Sequence, residues 1–267
     1  MGAGNSWTQG VLMGIRERVN DAWSVQASGA TLVIRGGAGP AALDLADLAA
    51  RHPQGPDAAV LDEVVARVVR HLALPPRWEQ VRAQLVPCLW RSEQLPARPT
   101  LLRRPWLAPL WVGYGIAGPA CTLAVTTELA SGWGVRASDV DAAALANLRA
   151  SRPPLARVVA GVLYACADMR HPERSAAGVV DAGGLERLAR RCGSDRLLLG
   201  LPHRGLAVVL RAPREDDPEE VAAPRLHRVQ LLTAQRHRAA VFPLAGSVVS
   251  WQARTAAPLL QPRWALA

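Results

Sequence analysis

Of the six histidines, the candidate general bases of this chain, His203 has the setting closest to chemistry. It follows Pro202 at the end of an apolar strand-like run, with Asp168, His171 and Asp195 as candidate neighbours in space. An acid to orient the ring and a nucleophile beside it would make a hydrolase centred on His203. No G-x-S-x-G elbow and no H-E-x-x-H metal pair completes such a mechanism, so a structural or surface histidine is the first expectation there. His52 and His71 end predicted helices, where a cation suits the helix dipole. His227 and His237 lie among Arg225, Arg228, Arg236 and Arg238, which reads as a solvated helix face. The acid pairs Asp139/Asp141 and Asp216/Asp217 are of the helix-start and loop kind.

The second constellation is electrostatic. Residues 67–111 hold eight arginines against Glu79 and Glu93, which is six of the nine net positive charges, with Trp78, Trp90, Trp106 and Trp111 interleaved. Guanidinium forks grip phosphates bidentately and indoles stack on bases, so Arg77, Trp78, Arg82, Trp90, Arg91, Arg98, Arg103, Arg104 and Trp106 are the candidate polyanion-binding residues. The competing reading, taken first because no RNA-binding aromatic motif is present, makes the tryptophans core anchors and the arginines a solvated rim.

Other chemistry is excluded or weak. All 31 basic residues are arginine, so a Schiff base, a pyridoxal-phosphate anchor, a Walker phosphate loop and a kinase-type ATP lysine are ruled out. The composition fits a GC-rich bacterial gene. Gly37-Ala38-Gly39-Pro40-Ala41-Ala42 resembles G-x-G-x-x-A, with Asp57 and Asp62 near the spacing of a ribose-binding acid, but no parallel strand follows. A tight turn before a proline-started helix accounts for those glycines, and no cofactor is expected. Cys88, Cys121, Cys166 and Cys192 lack ligand or disulfide spacing and sit among apolar residues, which reads as buried thiols in a reducing cytoplasm. No signal peptide is visible, and the opening match to M-G-x-x-x-S is accidental in a bacterial chain. Residues 105–123 are uncharged but broken by Pro109, Gly113, Gly115, Gly118 and Pro119, so no membrane insertion is expected.

The elements that must position these residues follow from periodicity. Helices are predicted over 8–20, 41–52, 57–72, 138–149 and 185–192, the last ended by Gly193, with a helical turn over 78–84. Strands are predicted over 23–27, 31–35, 85–90, 110–117, 120–126, 196–199, 206–211 and 247–252, and 158–166 reads as a buried apolar run. Residues 200–205 read as a hairpin-like connection. Residues 214–220 form an acidic, exposed break before a helix that starts at 217 or restarts at Pro224 and runs to 238. Helices and strands alternate irregularly, so the expected class is α+β, with mixed or antiparallel sheets and interspersed packing helices. The expected organisation is a main domain over 1–213 and a C-terminal helix and strand over 214–267 packed on it.

Three strings resemble the YtpQ-like bacterial proteins, catalogued as domain of unknown function 1444. Leu85-Val86-Pro87-Cys88-Leu89-Trp90-Arg91-Ser92 is similar to the I-L-P-V-I-R-S string, and Ala146-Asn147-Leu148-Arg149 ends a helix in the manner of L-x-x-A-x-x-N-L-R. Leu198 to Leu210, with Pro202 and His203 leading into a strand, is similar to the V-P-H-x-D-V-L-I-I segment; Gly205 stands where that pattern has aspartate. The resemblance implies an α+β cytoplasmic bacterial protein and no particular activity. The expected function is a non-enzymatic interaction module with an unidentified protein partner. Nucleic-acid or other polyanion binding through 67–111 is the alternative, and the hydrolase at His203 comes third.

Overall fold

The structure, a computed structural model, describes residues 3–36, 39–107, 109–151, 155–159, 163–166, 176–213 and 217–252. Among them are eight α-helices: α1 (Ala3–Arg16), α2 (Leu45–Arg51), α3 (Ala58–Ala73), α4 (Trp78–Val81), α5 (Thr127–Gly132), α6 (Ala137–Ser151), α7 (Ala182–Arg191) and α8 (Glu219–Ala239). Seven strands make the first sheet: β1 (Ser24–Ser28), β2 (Thr31–Gly36), β3 (Gly39–Asp44), β4 (Leu85–Arg91), β5 (Arg103–Pro105), β6 (Leu110–Ile116) and β7 (Leu123–Ala124). Its order is β1-β2-β3-β7-β6-β4, with β5 beside β6. The second sheet has the order β12-β10-β11-β9-β8, from β8 (Leu155–Val159), β9 (Leu163–Cys166), β10 (Arg196–His203), β11 (Leu206–Arg211) and β12 (Val248–Gln252). Every pairing described is antiparallel, so the class is α+β. No helix among the described residues is long and apolar enough to cross a membrane.

The alternation of side chains along each strand decides what each sheet face holds. Leu43, Leu123 and Ile116 stand in one cross-strand row. That face buries Leu32, Ile34 and Leu43 against α1 and α3, and Leu85, Leu89, Val112 and Tyr114 against α6. The same core continues through Leu185 and Leu188 of α7 to Leu197, Leu199, Val209 and Trp251 of the second sheet, so one apolar cluster joins the two sheets. The other face of the second sheet carries Val208 and Leu210 against Val229 of α8. Gly200 on that face is needed for close approach, because a Cβ there would lie 2.2 Å from Thr233 Oγ1.

Strand β4 is an edge strand, yet its first six residues are buried. Two of its outward carbonyls are capped by side chains: Asn147 Nδ2 donates to Leu85 O at 2.9 Å and Arg204 Nε donates to Leu89 O at 2.7 Å. Pro87, in register between them, has no N–H to leave unpaired, which is why proline is tolerated on an edge.

Several expectations change. Residues 41–52 are not one helix: Gly39–Asp44 pair with β2 and β7, and the helix starts only at Leu45. Gly36 pairs with Gly39, and Pro40, Ala41 and Ala42 continue strand β3, so no helix starts at Pro40 to meet a pyrophosphate; Gly37 and Ala38 lie outside the described residues. Asp57 caps α3 by accepting from Val60 N, and Asp62 pairs with Arg18 at 2.6 Å, so both acids are engaged elsewhere. The 200–205 connection shrinks to Arg204 and Gly205, since β10 extends to His203. Helix α8 runs through Pro224 without restarting. Residues 160–162 of the expected apolar run and 214–216 of the acidic break lie outside the described residues, as do Asp168, His171 and Asp216.

Candidate functional site

A cleft of about 450 Å³ opens where the end of α3 meets α4, α5 and the start of β3. Its volume falls within the range of small-molecule sites. Helix α3 ends at Ala73 because Pro75 and Pro76 cannot continue it, and these prolines bring the chain round into α4, which carries Trp78 and Glu79. Opposite them, Thr126 caps α5 by accepting from Leu129 N at 3.1 Å. That cap fixes the short helix bearing Glu128, with Trp133 at its C-terminal end. The two walls are tied by Trp133 Nε1, which donates to Pro76 O at 2.7 Å, and the Trp78 and Trp133 rings lie 5.6 Å apart, tilted by 49°. Such ring pairs add about 0.5–1.5 kcal/mol beyond burial. His71 lines the floor, its pKa lowered to about 4 by burial and by the Arg67 charge, so at neutral pH it offers an uncharged donor or acceptor. Arg77 also lines the cleft.

The candidate residues of 67–111 divide. Arg77 and Trp78 belong to the cleft. Trp90 is fully buried and cannot stack on a base, and Trp106 packs half-buried against the central core. Arg91 pairs with Glu93 at 3.1 Å and Arg104 with Asp141 at 3.2 Å. Tyr114 donates to the same Asp141 carboxylate, and burial together with that charge holds the phenol well above its ordinary pKa. Arg82, Arg98 and Arg103 are exposed, and Arg103 lies 4.9 Å over the Trp111 ring.

Pro202 is buried and its carbonyl accepts from Leu244 N at 2.8 Å. His203 Nδ1 accepts from Gly205 N at 3.2 Å, which closes the turn, and burial together with Arg236 lowers its pKa to about 4. Among the described residues no carboxylate or nucleophile is hydrogen-bonded to it, so the constellation a hydrolase needs is not assembled by them. The residue beside it matters more to the fold. Arg204 is 2% exposed, pairs with Asp44, and lies with its guanidinium 3.7 Å from the Trp90 ring centroid. Asp44 in turn caps α2 through Ala46 N and Asp47 N. Desolvation pushes the Arg204 pKa well below its ordinary value. A buried charge of this kind persists only when paired and hydrogen-bonded.

Sequence reasoning passed over His71, Glu128 and Trp133 as site residues, and Arg204 as a core residue. Cys88, Cys121 and Cys192 form no disulfide among the described residues, and burial raises Cys121 to about 12. No three of His, Cys, Asp and Glu among the described residues converge as a metal site requires.

In comparison with known proteins, no family model, no curated protein and no solved structure matches this chain. The likeness to the YtpQ-like proteins therefore rests on its three short strings alone.

Proposed function

We propose that this chain is a non-enzymatic binding module whose ligand occupies the cleft between the end of α3, α4 and α5. The observation that carries this reading is the touching pair Trp78 and Trp133, which lines a cleft of about 450 Å³ together with polar groups. Two indoles supply a broad apolar contact, while His71 and Thr126 add hydrogen-bonding positions, the composition of a ligand site. Catalysis has less support, because no nucleophile and base pair accompanies either His71 or His203 among the described residues.

A thermal-shift screen with small organic amines, acids and neutral aromatics tests the reading when wild type is compared with Gly132→Phe. Gly132 lines the cleft, and a Cβ built there meets nothing within 4 Å, so the added ring enters the opening without strain on the core. Compounds that raise the wild-type Tm are expected to lose the effect in the variant. Shifts of equal size in both proteins overturn the reading.

Polyanion binding is the second reading. It is favoured by Arg77, Arg82, Arg98 and Arg103, which are exposed and meet no carboxylate among the described residues. It predicts salt-dependent binding of labelled single-stranded RNA, and absence of binding at about 50 mM salt ends it.

A further inference from the structure

We propose, building on the reading of the cleft as a ligand site, that its ligand is a small organic cation whose apolar body lies against Trp78 and Trp133. Each of the two short helices brings one indole and one carboxylate to the cleft: α4 supplies Trp78 and Glu79, and α5 supplies Glu128 with Trp133 at its end. Indole faces carry the negative lobe of the ring quadrupole and attract ammonium or guanidinium groups, most strongly where water is partly excluded.

The carboxylates point the same way. In this arginine-rich chain Asp44, Asp47, Asp62, Asp141, Asp181 and Asp217 are all matched to guanidinium groups. Glu79 and Glu128 meet none among the described residues, although Arg77 lines the same cleft. The lining itself, two carboxylates and one arginine with His71 uncharged at neutral pH, carries a net negative charge inside a chain of net charge +9, while Arg67, whose charge reaches His71 from outside the lining, donates to the Ile116 carbonyl at 2.9 Å. An anion would face both glutamates, and a neutral ligand would meet them only through hydrogen-bond donors, without the attraction between opposite charges. The remaining positive charge of the chain opposes a cation weakly, because exposed charges beyond about 8 Å are screened at physiological salt.

Isothermal titration of the full chain with acetylcholine and with its uncharged carbon isostere 3,3-dimethylbutyl acetate tests the inference. The quaternary ammonium probe is expected to bind about tenfold more tightly than the isostere. The double variant Glu79→Gln/Glu128→Gln should cut that ratio to about threefold or less while leaving the isostere's affinity unchanged. Equal affinities, both lost in Gly132→Phe, overturn the cation inference and leave the cleft reading standing. No acetylcholine binding at about 10 mM also overturns the inference. Acetylcholine binding that survives Gly132→Phe overturns both.

Discussion

Trp90 and Trp111 are direct partners across the β4–β6 pair, and each has an arginine over its ring. Their surroundings differ completely. Trp111 is half-buried beneath Arg103, an exposed residue of β5 whose guanidinium stays in water. Trp90 lies in the core beneath Arg204, which arrives from the turn of the second sheet and is held by Asp44 and the Leu89 carbonyl. The same two side-chain types make a rim contact in one place and a tie between two sheets in the other. Residue type fixes what an interaction can be; desolvation fixes how much it matters.

The largest way to break this comparison is to remove one side of the buried pair. Arg204→Ala leaves Asp44 charged and uncompensated in the core, and urea denaturation should show a loss of about 3–5 kcal/mol. Asp44→Asn keeps the helix cap but strands the arginine. The double variant Asp44→Asn/Arg204→Met should be more stable than Asp44→Asn alone, because no unpaired charge remains; a double variant less stable than Asp44→Asn would mean that the Leu89 carbonyl and the Trp90 ring sustain the buried arginine without its carboxylate.

Acid sharpens the contrast next, since His203 adjoins Arg204 while no titrating histidine touches the Arg103–Trp111 contact in the described residues. Burial holds both His203 and His71 neutral, with pKa values of about 4. The unfolded chain therefore takes up protons below about pH 6.5 that the folded chain refuses until about pH 4. Stability is full above the upper value and falls through this window, by about 2 kcal/mol per histidine at pH 5. Urea midpoints at pH 7 and pH 5 should show that fall, and it should shrink by about half in His203→Gln.

A smaller effect is expected at Gly113, where a Cβ would sit 2.9 Å from Trp90 Nε1. Gly113→Ala should cost about 1–3 kcal/mol by displacing the indole that supports Arg204. Smallest is Arg103→Met, at no more than about 0.5–1 kcal/mol, because its ring contact is solvated. A cost for Arg103→Met equal to that of Arg204→Ala would erase the difference between the two contacts.

What the chain discloses in advance depends on how local each feature is. Helix α3 is legible because Val64, Val65, Val68 and Leu72 return to one buried face within a single element. Ala41 to Asp44 is not, since a short apolar run rich in alanine suits helix or strand, and pairing with β2 and β7 decides it. The irregular alternation of elements was enough for the α+β class. The cleft half-emerges: Arg77 and Trp78 stood out through the arginine and tryptophan count, whereas Trp133 approaches by bonding Pro76, 57 positions away. Arg204 had no local signal either, as its partners Leu89 and Asp44 lie 115 and 160 positions back. The count over 67–111 placed Trp90 beside surface arginines, yet its own arginine comes from outside that segment.

The most direct measurement is two-dimensional NMR of the indole N–H signals while acetylcholine is added to the full chain. Binding in the cleft predicts that the Trp78 and Trp133 signals move together and saturate, with Trp90 and Trp111 unchanged. Movement of Trp111 while the cleft pair stays fixed, or no movement at any indole, contradicts the account.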